Sequence, residues 1–164
     1  MHARQAVLGG LSPKDNREIP PLRYDVVRAL RQEFPQLPLV VNGGFRDVDS
    51  VSAALAWCDG VMLGREAYHR PYLLAQLQQS LGADRAAPPD PAVLMERMAR
   101  YAGRELTGSV RLSSIARHVL GLMNGQPGAR EFRRTLSEGA RAPAAGPELF
   151  QEALRRARAA QAFR

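Results

Sequence analysis

Two short apolar runs, each ending in a glycine loop, constrain this chain more than any other feature. They lie in residues 37–68, LPLVVNGGFRDVDSVSAALAWCDGVMLGREAY. Leu39-Val40-Val41 is a continuous apolar run, the pattern of a strand buried on both faces of a parallel sheet. Pro38 then stands at the strand's first residue, where a missing N–H is tolerated. Asn42-Gly43-Gly44 turns the chain at once, since glycine adopts backbone angles closed to other residues. Asp47 or Ser50 caps a helix from about Val48 to Trp57. A second run, Gly60-Val61-Met62-Leu63, ends in Gly64-Arg65. Two successive strands therefore finish in glycine loops at one edge of a parallel sheet, where freed backbone N–H groups beside helix N-termini bind phosphate. In a (β/α)8 barrel the phosphate site lies in the loops after the seventh and eighth strands. The stretch reads as the end of such a barrel.

At 164 residues the chain is too short for a whole barrel, which takes about 250. It is therefore expected to be a fragment, and its opening on His2-Ala3-Arg4, inside a functional-looking loop, agrees with a truncated or displaced start. Residues 1–22 are mostly loop, marked by Gly9-Gly10, Ser12-Pro13 and Pro20-Pro21. Val26, Val27, Leu30 and Phe34 predict a helix from Pro21 or Leu22 to Phe34. Leu73, Leu74, Leu77 and Leu81 predict another from Pro71 to about Leu81. The alternation of strand and helix implies parallel neighbours. Residues 82–90, GADRAAPPD, have a linker's composition, and beyond them only helical periods occur, over 91–106, 109–123, 128–138 and 147–163. That second part reads as a small helical bundle.

Charge separates the two parts. Residues 1–90 hold ten basic and ten acidic residues, whereas residues 91–164 hold thirteen arginines and six glutamates, so the whole net charge of +7 lies in the second part. Such asymmetry suggests a polyanion partner. A coding bias toward arginine is the plain alternative, since 22 of the 23 basic residues are Arg, but bias does not explain why acids fail to balance arginines in one part only. One cysteine excludes an intramolecular disulfide framework and a cysteine-based zinc cluster. No HxH or HExxH spacing points to a metal. With no apolar run of about 18 residues and no leader pattern, a cytosolic protein without a membrane span is the expectation.

The residues that could carry chemistry are few. Asn42, Gly43, Gly44, Gly64 and Arg65 are the phosphate candidates: glycine permits close backbone approach, and arginine supplies a charge-matched fork. Either loop alone is also what an ordinary turn with a surface arginine looks like. Arg130, Arg133 and Arg134 share one helix face, opposite the apolar Phe132 and Leu136, and Arg111, Arg117 and His118 extend the basic patch. Lys14 and Arg17 stand three apart in a loop that could reach a phosphate backbone, or could simply be solvated. By pattern alone His2, His69 and His118 are incidental. Cys58 reads as packing, because it precedes the last strand and so lies at the wrong sheet edge for catalysis.

At this point the residues match a known family. His2-Ala3-Arg4 followed by Gly10-Leu11-Ser12-Pro13-Lys14-Asp15-Asn16-Arg17-Glu18-Ile19-Pro20-Pro21-Leu22 closely resembles tRNA-dihydrouridine synthase, A subfamily. Asn42-Gly43-Gly44, Gly60 to Arg65, Arg117 to Leu122, Gly128 to Arg134 and Leu136-Ser137-Glu138 continue the likeness, leaving only the last stretch of about 20 residues unspecific. The resemblance implies an α/β plus all-α fold, the C-terminal part (strands 6–8) of a TIM (β/α)8 barrel followed by a small helical bundle. Residues 1–82 would be barrel, 83–90 linker and 91–164 the helical tRNA-binding domain. It implies FMN-dependent reduction of uridine to 5,6-dihydrouridine in the tRNA D-loop, at positions 20/20a, with NADPH as reductant. By resemblance His2 contacts the flavin, and Asn42, Gly43, Gly44, Gly64 and Arg65 hold its phosphate region. Lys14, Arg17, Arg130 and Arg133 contact tRNA. The family's catalytic cysteine, and a lysine and glutamine that contact flavin, belong to the first half of the barrel. Nothing here matches them, so the chain alone is expected to be inactive and the full-length protein monomeric. The rival reading is a non-catalytic RNA-binding module with a residual α/β base.

Overall fold

The computed structural model describes residues 1–82, 87–106 and 108–162. The expected linker 83–90 falls partly outside them, at 83–86, as does Phe163 at the end of the last predicted helix. The chain forms two compact units, Met1–Glu66 and Ala67–Arg164. The division precedes the 82/83 boundary expected from composition. Helix α4 (Tyr72–Leu81) belongs to the second unit, where Tyr72 packs on the helical core and donates its hydroxyl to the Pro89 carbonyl at 3.1 Å.

The first unit is built on a short parallel sheet. Strand β1 (Val40–Asn42) pairs with β2 (Gly60–Met62) in the register Val40↔Gly60, Val41↔Val61, Asn42↔Met62. On the other side of β1, His2 forms a parallel bridge to Asn42, and the Ala3 N–H donates to the Asn42 carbonyl at 2.7 Å. Three segments thus run parallel, in the order 1–3, β1, β2. Helix α1 (Tyr24–Glu33) precedes β1, and α2 (Val48–Leu55) links the strands. Asp47 is the N-cap of α2: its side chain accepts from the Ser50 N–H at 2.8 Å, which decides between the two caps the sequence offered.

The sheet is covered on one side only, which corrects the expectation of a strand buried on both faces. Val41 is fully buried, as are Val27 of α1 and Val51 of α2, but Val40 and Met62 are each 48% exposed. Successive strand residues point to opposite faces. An apolar run predicts two covered faces only when layers exist on both sides to cover them. The strand also begins at Val40 rather than at Pro38.

The second unit contains α4, α5 (Pro91–Glu105), α6 (Leu112–Ala116), α7 (Ala129–Gly139) and α8 (Leu149–Ala162), with no strand among the described residues. A five-residue helix α3 (Arg65–His69), not anticipated from periodicity, spans the division. Phe132 and Leu136 of α7, Met95 of α5 and Phe150 of α8 are wholly buried in one core. Asp90 caps α5 by accepting the Ala92 N–H at 2.6 Å. That bond, followed by the charge of Arg158 beside it, holds the Asp90 carboxyl below its ordinary range. The helix expected over 109–123 is regular only over Leu112–Ala116. Beyond it the chain continues in tight turns, with His118, Val119, Leu122 and Asn124 each donating its backbone N–H to the carbonyl three residues back. Such turns keep residues three apart on one side, so Leu112, Ile115 and Leu122 are still buried.

Candidate functional site

The phosphate candidates of the first unit gather at one end of its sheet. Asn42 and Met62 are register partners, so the loops that begin at Gly43 and at Leu63 leave adjacent parallel strands at the same end. His2 arrives there on the far side of β1. Its ring lies 3.4 Å from where a Gly43 side chain would begin. Gly43 and Gly44 have φ of +126° and +81°, which L side chains rarely adopt. A Cβ on Gly44 would also meet the Leu22 side chain at 2.5 Å and the Tyr24 hydroxyl at 3.0 Å. Tyr24 fixes this turn by donating its hydroxyl to the Gly43 carbonyl. Burial pushes its phenol up, opposed by the nearby Arg4 charge, so the donor stays protonated through neutral pH. The Tyr24 ring is in turn packed against Phe45 and Trp57, at centroid distances of 5.7 and 6.5 Å.

Gly64 is the open side of the arrangement. Nothing lies within 4 Å of where its Cβ would be, so a ligand can approach this backbone closely. Arg65 follows with an exposed side chain. Its guanidinium donates to Glu18 Oε1 at 3.0 Å and to the Arg17 carbonyl at 3.1 Å. Half-exposed on both sides, this ion pair contributes little stability and can be given up to a stronger anion.

The loop bearing Lys14 and Arg17 is ordered by its own hydrogen bonds. Asn16 accepts the Val7 N–H at 3.0 Å and donates to the Val7 carbonyl at 2.6 Å. Ser12 and Asp15 are joined at 2.7 Å, and Arg4 donates to the carbonyls of Glu18, at 2.9 Å, and Pro20. Lys14 precedes the short 3-10 turn Asp15–Arg17 and Arg17 ends it, both with exposed side chains.

In the second unit Arg130 and Arg133 lie exposed on α7. Nothing among the described residues pairs with Arg130, and Arg133 donates to the Asn124 side-chain carbonyl. Arg134 differs: Glu131 holds it through two bonds of 3.0 and 2.9 Å, which leaves less of its charge available. A mainly apolar groove of about 470 Å³, lined by Tyr72, Leu74, Met98, His118 and Val119 among others, lies elsewhere in this unit.

Cys58 is buried, its Sγ 3.1 Å from the Ala54 carbonyl and 3.3 Å from that of Gly60. Among the described residues there is no group of three or more His, Cys, Asp or Glu able to hold a metal, and no helix long and apolar enough to cross a membrane.

The profile of the dihydrouridine synthase family matches residues 1–158 of this sequence. The chain belongs to the dihydrouridine synthase family. Proteins named tRNA-dihydrouridine(20/20a) synthase are similar to it throughout. That of Xanthomonas campestris pv. campestris is 50% identical over 157 residues, covering 95% of this chain and 46% of the relative. That of Synechocystis sp. is 46% identical over 154 residues, covering 94% and 46%. That of Vibrio parahaemolyticus is 45% identical over 154 residues, covering 94% and 47%. The chain spans about half the length of the curated relatives it matches. The family implies a TIM barrel, and this chain carries a small parallel sheet with helices.

Three contributors to these sites were invisible in the sequence. Glu18 lies 47 residues from the arginine it engages, Tyr24 lies 19 from the carbonyl it holds, and Tyr68 lies 50 from its partner His118. No local pattern links residues so far apart.

Proposed function

We propose that this chain is the C-terminal part, strands 6–8 and the helical bundle, of an FMN-dependent tRNA-dihydrouridine synthase acting at positions 20/20a of the D-loop. The observation that carries the reading is the meeting of His2, Asn42, Gly43 and Gly44 at one sheet end, beside the strand that leads to Gly64 and Arg65, in a chain of this family. The residues fit a flavin phosphate. Gly64 leaves room for close approach, and the Arg65 guanidinium is a planar donor fork matched to phosphate. When bound, the flavin would supply the hydride that reduces the uracil C5–C6 double bond, with NADPH restoring it. Arg65 would exchange Glu18 for the phosphate, the Gly43–Gly44 turn would shape the adjoining wall, and His2 would close the near side. Lys14, Arg17, Arg130 and Arg133 would hold tRNA phosphates. Cys58, pinned between backbone carbonyls, has no role as proton donor in this reading. That role belongs to a cysteine in the half of the relatives' length not spanned here.

The longer polypeptide carrying this chain is expected to purify yellow and to form dihydrouridine in unmodified tRNA. Arg65→Ala in that protein should weaken FMN binding about tenfold or more, the scale of a lost hydrogen bond to a charged group. Unchanged flavin retention would remove Arg65 from the site, and a colourless, inactive protein that still binds tRNA would favour the non-catalytic module. Arg133→Ala should lower the slope of log affinity for tRNA against log salt by about one, the loss of one phosphate contact. An unaltered slope would sink that contact.

A further inference from the structure

Beside Arg133 lies a polar cluster that the reading above does not use. Tyr68 is 52% exposed, and its hydroxyl lies 3.1 Å from His118 Nδ1. The two rings meet edge to face, centroids 5.8 Å apart at 82°. On the far side of the imidazole the Arg117 Nε–H donates to His118 Nε2 at 3.2 Å. Arginine has donors only, so Nε2 must be the acceptor. The neutral ring then carries its proton on Nδ1 and gives it to the Tyr68 oxygen. The hydroxyl's own proton is left to point away from His118, and no acceptor among the described residues takes it. A solvent-facing phenol whose lone pair is occupied by a histidine donor is set up to donate outward.

The cluster is built rather than incidental. His69, the next residue, turns its carbonyl into the bend at Gly121, 2.1 Å from where a Cβ would lie. Asn124 Nδ2 donates to that carbonyl at 2.6 Å, while its Oδ1 accepts from Arg133. Any side chain at position 121 would push this carbonyl, and Tyr68 with it, out of place. One hydrogen-bonded line thus joins Arg133, Asn124 and the His69 carbonyl next to Tyr68, and a second joins Tyr68, His118 and Arg117. What such a surface lacks is an anion or oxygen acceptor, and Arg117, His118, Asn124 and Arg133 belong to residues 91–164, which carry the whole net charge of +7.

We propose that Tyr68, oriented by His118 and Arg117, donates its hydroxyl proton to a backbone oxygen of bound RNA next to the phosphate contact of Arg133. Tyr68 is the contact and His118 a positioning residue. The proposal rests on the tRNA-binding reading of the helical unit and adds to it a neutral, directional donor among the charged ones. Such a donor strengthens binding without changing its salt dependence, because it releases no counterion.

The test measures binding of this chain to an unmodified tRNA transcript across a salt series. Tyr68→Phe keeps the ring and should weaken binding about tenfold, the low end for a hydrogen bond to a charged acceptor, with the salt slope unchanged. His118→Leu should weaken binding in the parental chain but have no further effect in the Tyr68→Phe background, a coupling that a purely structural role would not produce. Equal circular dichroism of the variants confirms that they fold. Tyr68→Phe binding within twofold of the parent, while Arg133→Ala still loses slope, would overturn the Tyr68 contact and leave the tRNA reading intact. Additive effects of the two substitutions would overturn the positioning role of His118. A folded parental chain with no affinity for the transcript would overturn both the inference and the reading beneath it.

Discussion

Gly128→Ala is expected to cost the helical unit roughly 2–5 kcal/mol, the sum of a left-handed backbone penalty and overpacking. Gly128 is the N-cap of α7 with φ +80°. A Cβ there would lie 2.3 Å from the Ala157 carbonyl oxygen and 2.9 Å from its carbon, and this is backbone of α8 that no rotamer change can move. Ala157 is itself fully buried, so α8 can yield only by backing out of the core. Gly125→Ala is the matched control. Its φ is +81°, but nothing lies within 4 Å of its Cβ position, so it should cost only the backbone part, about 1–2 kcal/mol. Urea unfolding followed by helical circular dichroism compares the two. Equal midpoints would mean that the close approach of α7 to α8 is not a constraint on stability.

Phe132→Ala should cost about 3–5 kcal/mol, the range for removing a wholly buried phenylalanine. Phe132 has no exposed surface and stands in one core with Met95, Leu136 and Phe150. Its sequence neighbour Arg133 is exposed on the same helix, so Arg133→Ala should change stability by less than about 0.5 kcal/mol. Adjacent substitutions then separate folding from binding. The first should lower the unfolding midpoint and reduce tRNA affinity only through the loss of folded protein. The second should leave the midpoint in place and change the salt slope. A Phe132→Ala variant with the parental midpoint would mean that α7 does not seat in this core.

Both predictions turn on one helix whose two faces the residue pattern had already separated. Phe132 and Leu136 were expected inside and Arg130, Arg133 and Arg134 outside, and α7 is built that way. Even so, the pattern treated the three arginines as equals. Glu131 holds Arg134 and Asn124 holds Arg133, a distinction set by side-chain reach within and between elements rather than by spacing. The same division recurs at the glycine loops. Asn42-Gly43-Gly44 was legible as a turn because only glycine accepts such backbone angles. The Tyr24 hydroxyl that fixes that turn was not legible, since α1 reads equally well as an ordinary amphipathic helix.

Errors in the sequence reading have physical causes of the same kind. The apolar run at 39–41 implied two covered faces, yet Val40 is half exposed, because periodicity reports what a residue could bury and not whether a layer is present to bury it. The stripe Leu112, Ile115, Val119, Leu122 implied one long helix, whereas regular helix ends at Ala116. Tight turns preserve the same stripe while admitting the His69 carbonyl at Gly121.

The sequence by itself determined the parallel strand–helix units, the glycine turns, the buried face of α7, the concentration of positive charge after residue 90 and the family. These follow from local sterics, short-range periodicity and composition, all of which act over a few residues or simply add. Only the tertiary structure decided that Arg65 rests on Glu18, that Tyr24 holds the Gly43 carbonyl, and that Tyr68, His118 and Arg117 form one line. Each is a directional contact within about 3 Å between residues far apart in the chain, and such contacts exist only once the fold has brought their backbones together.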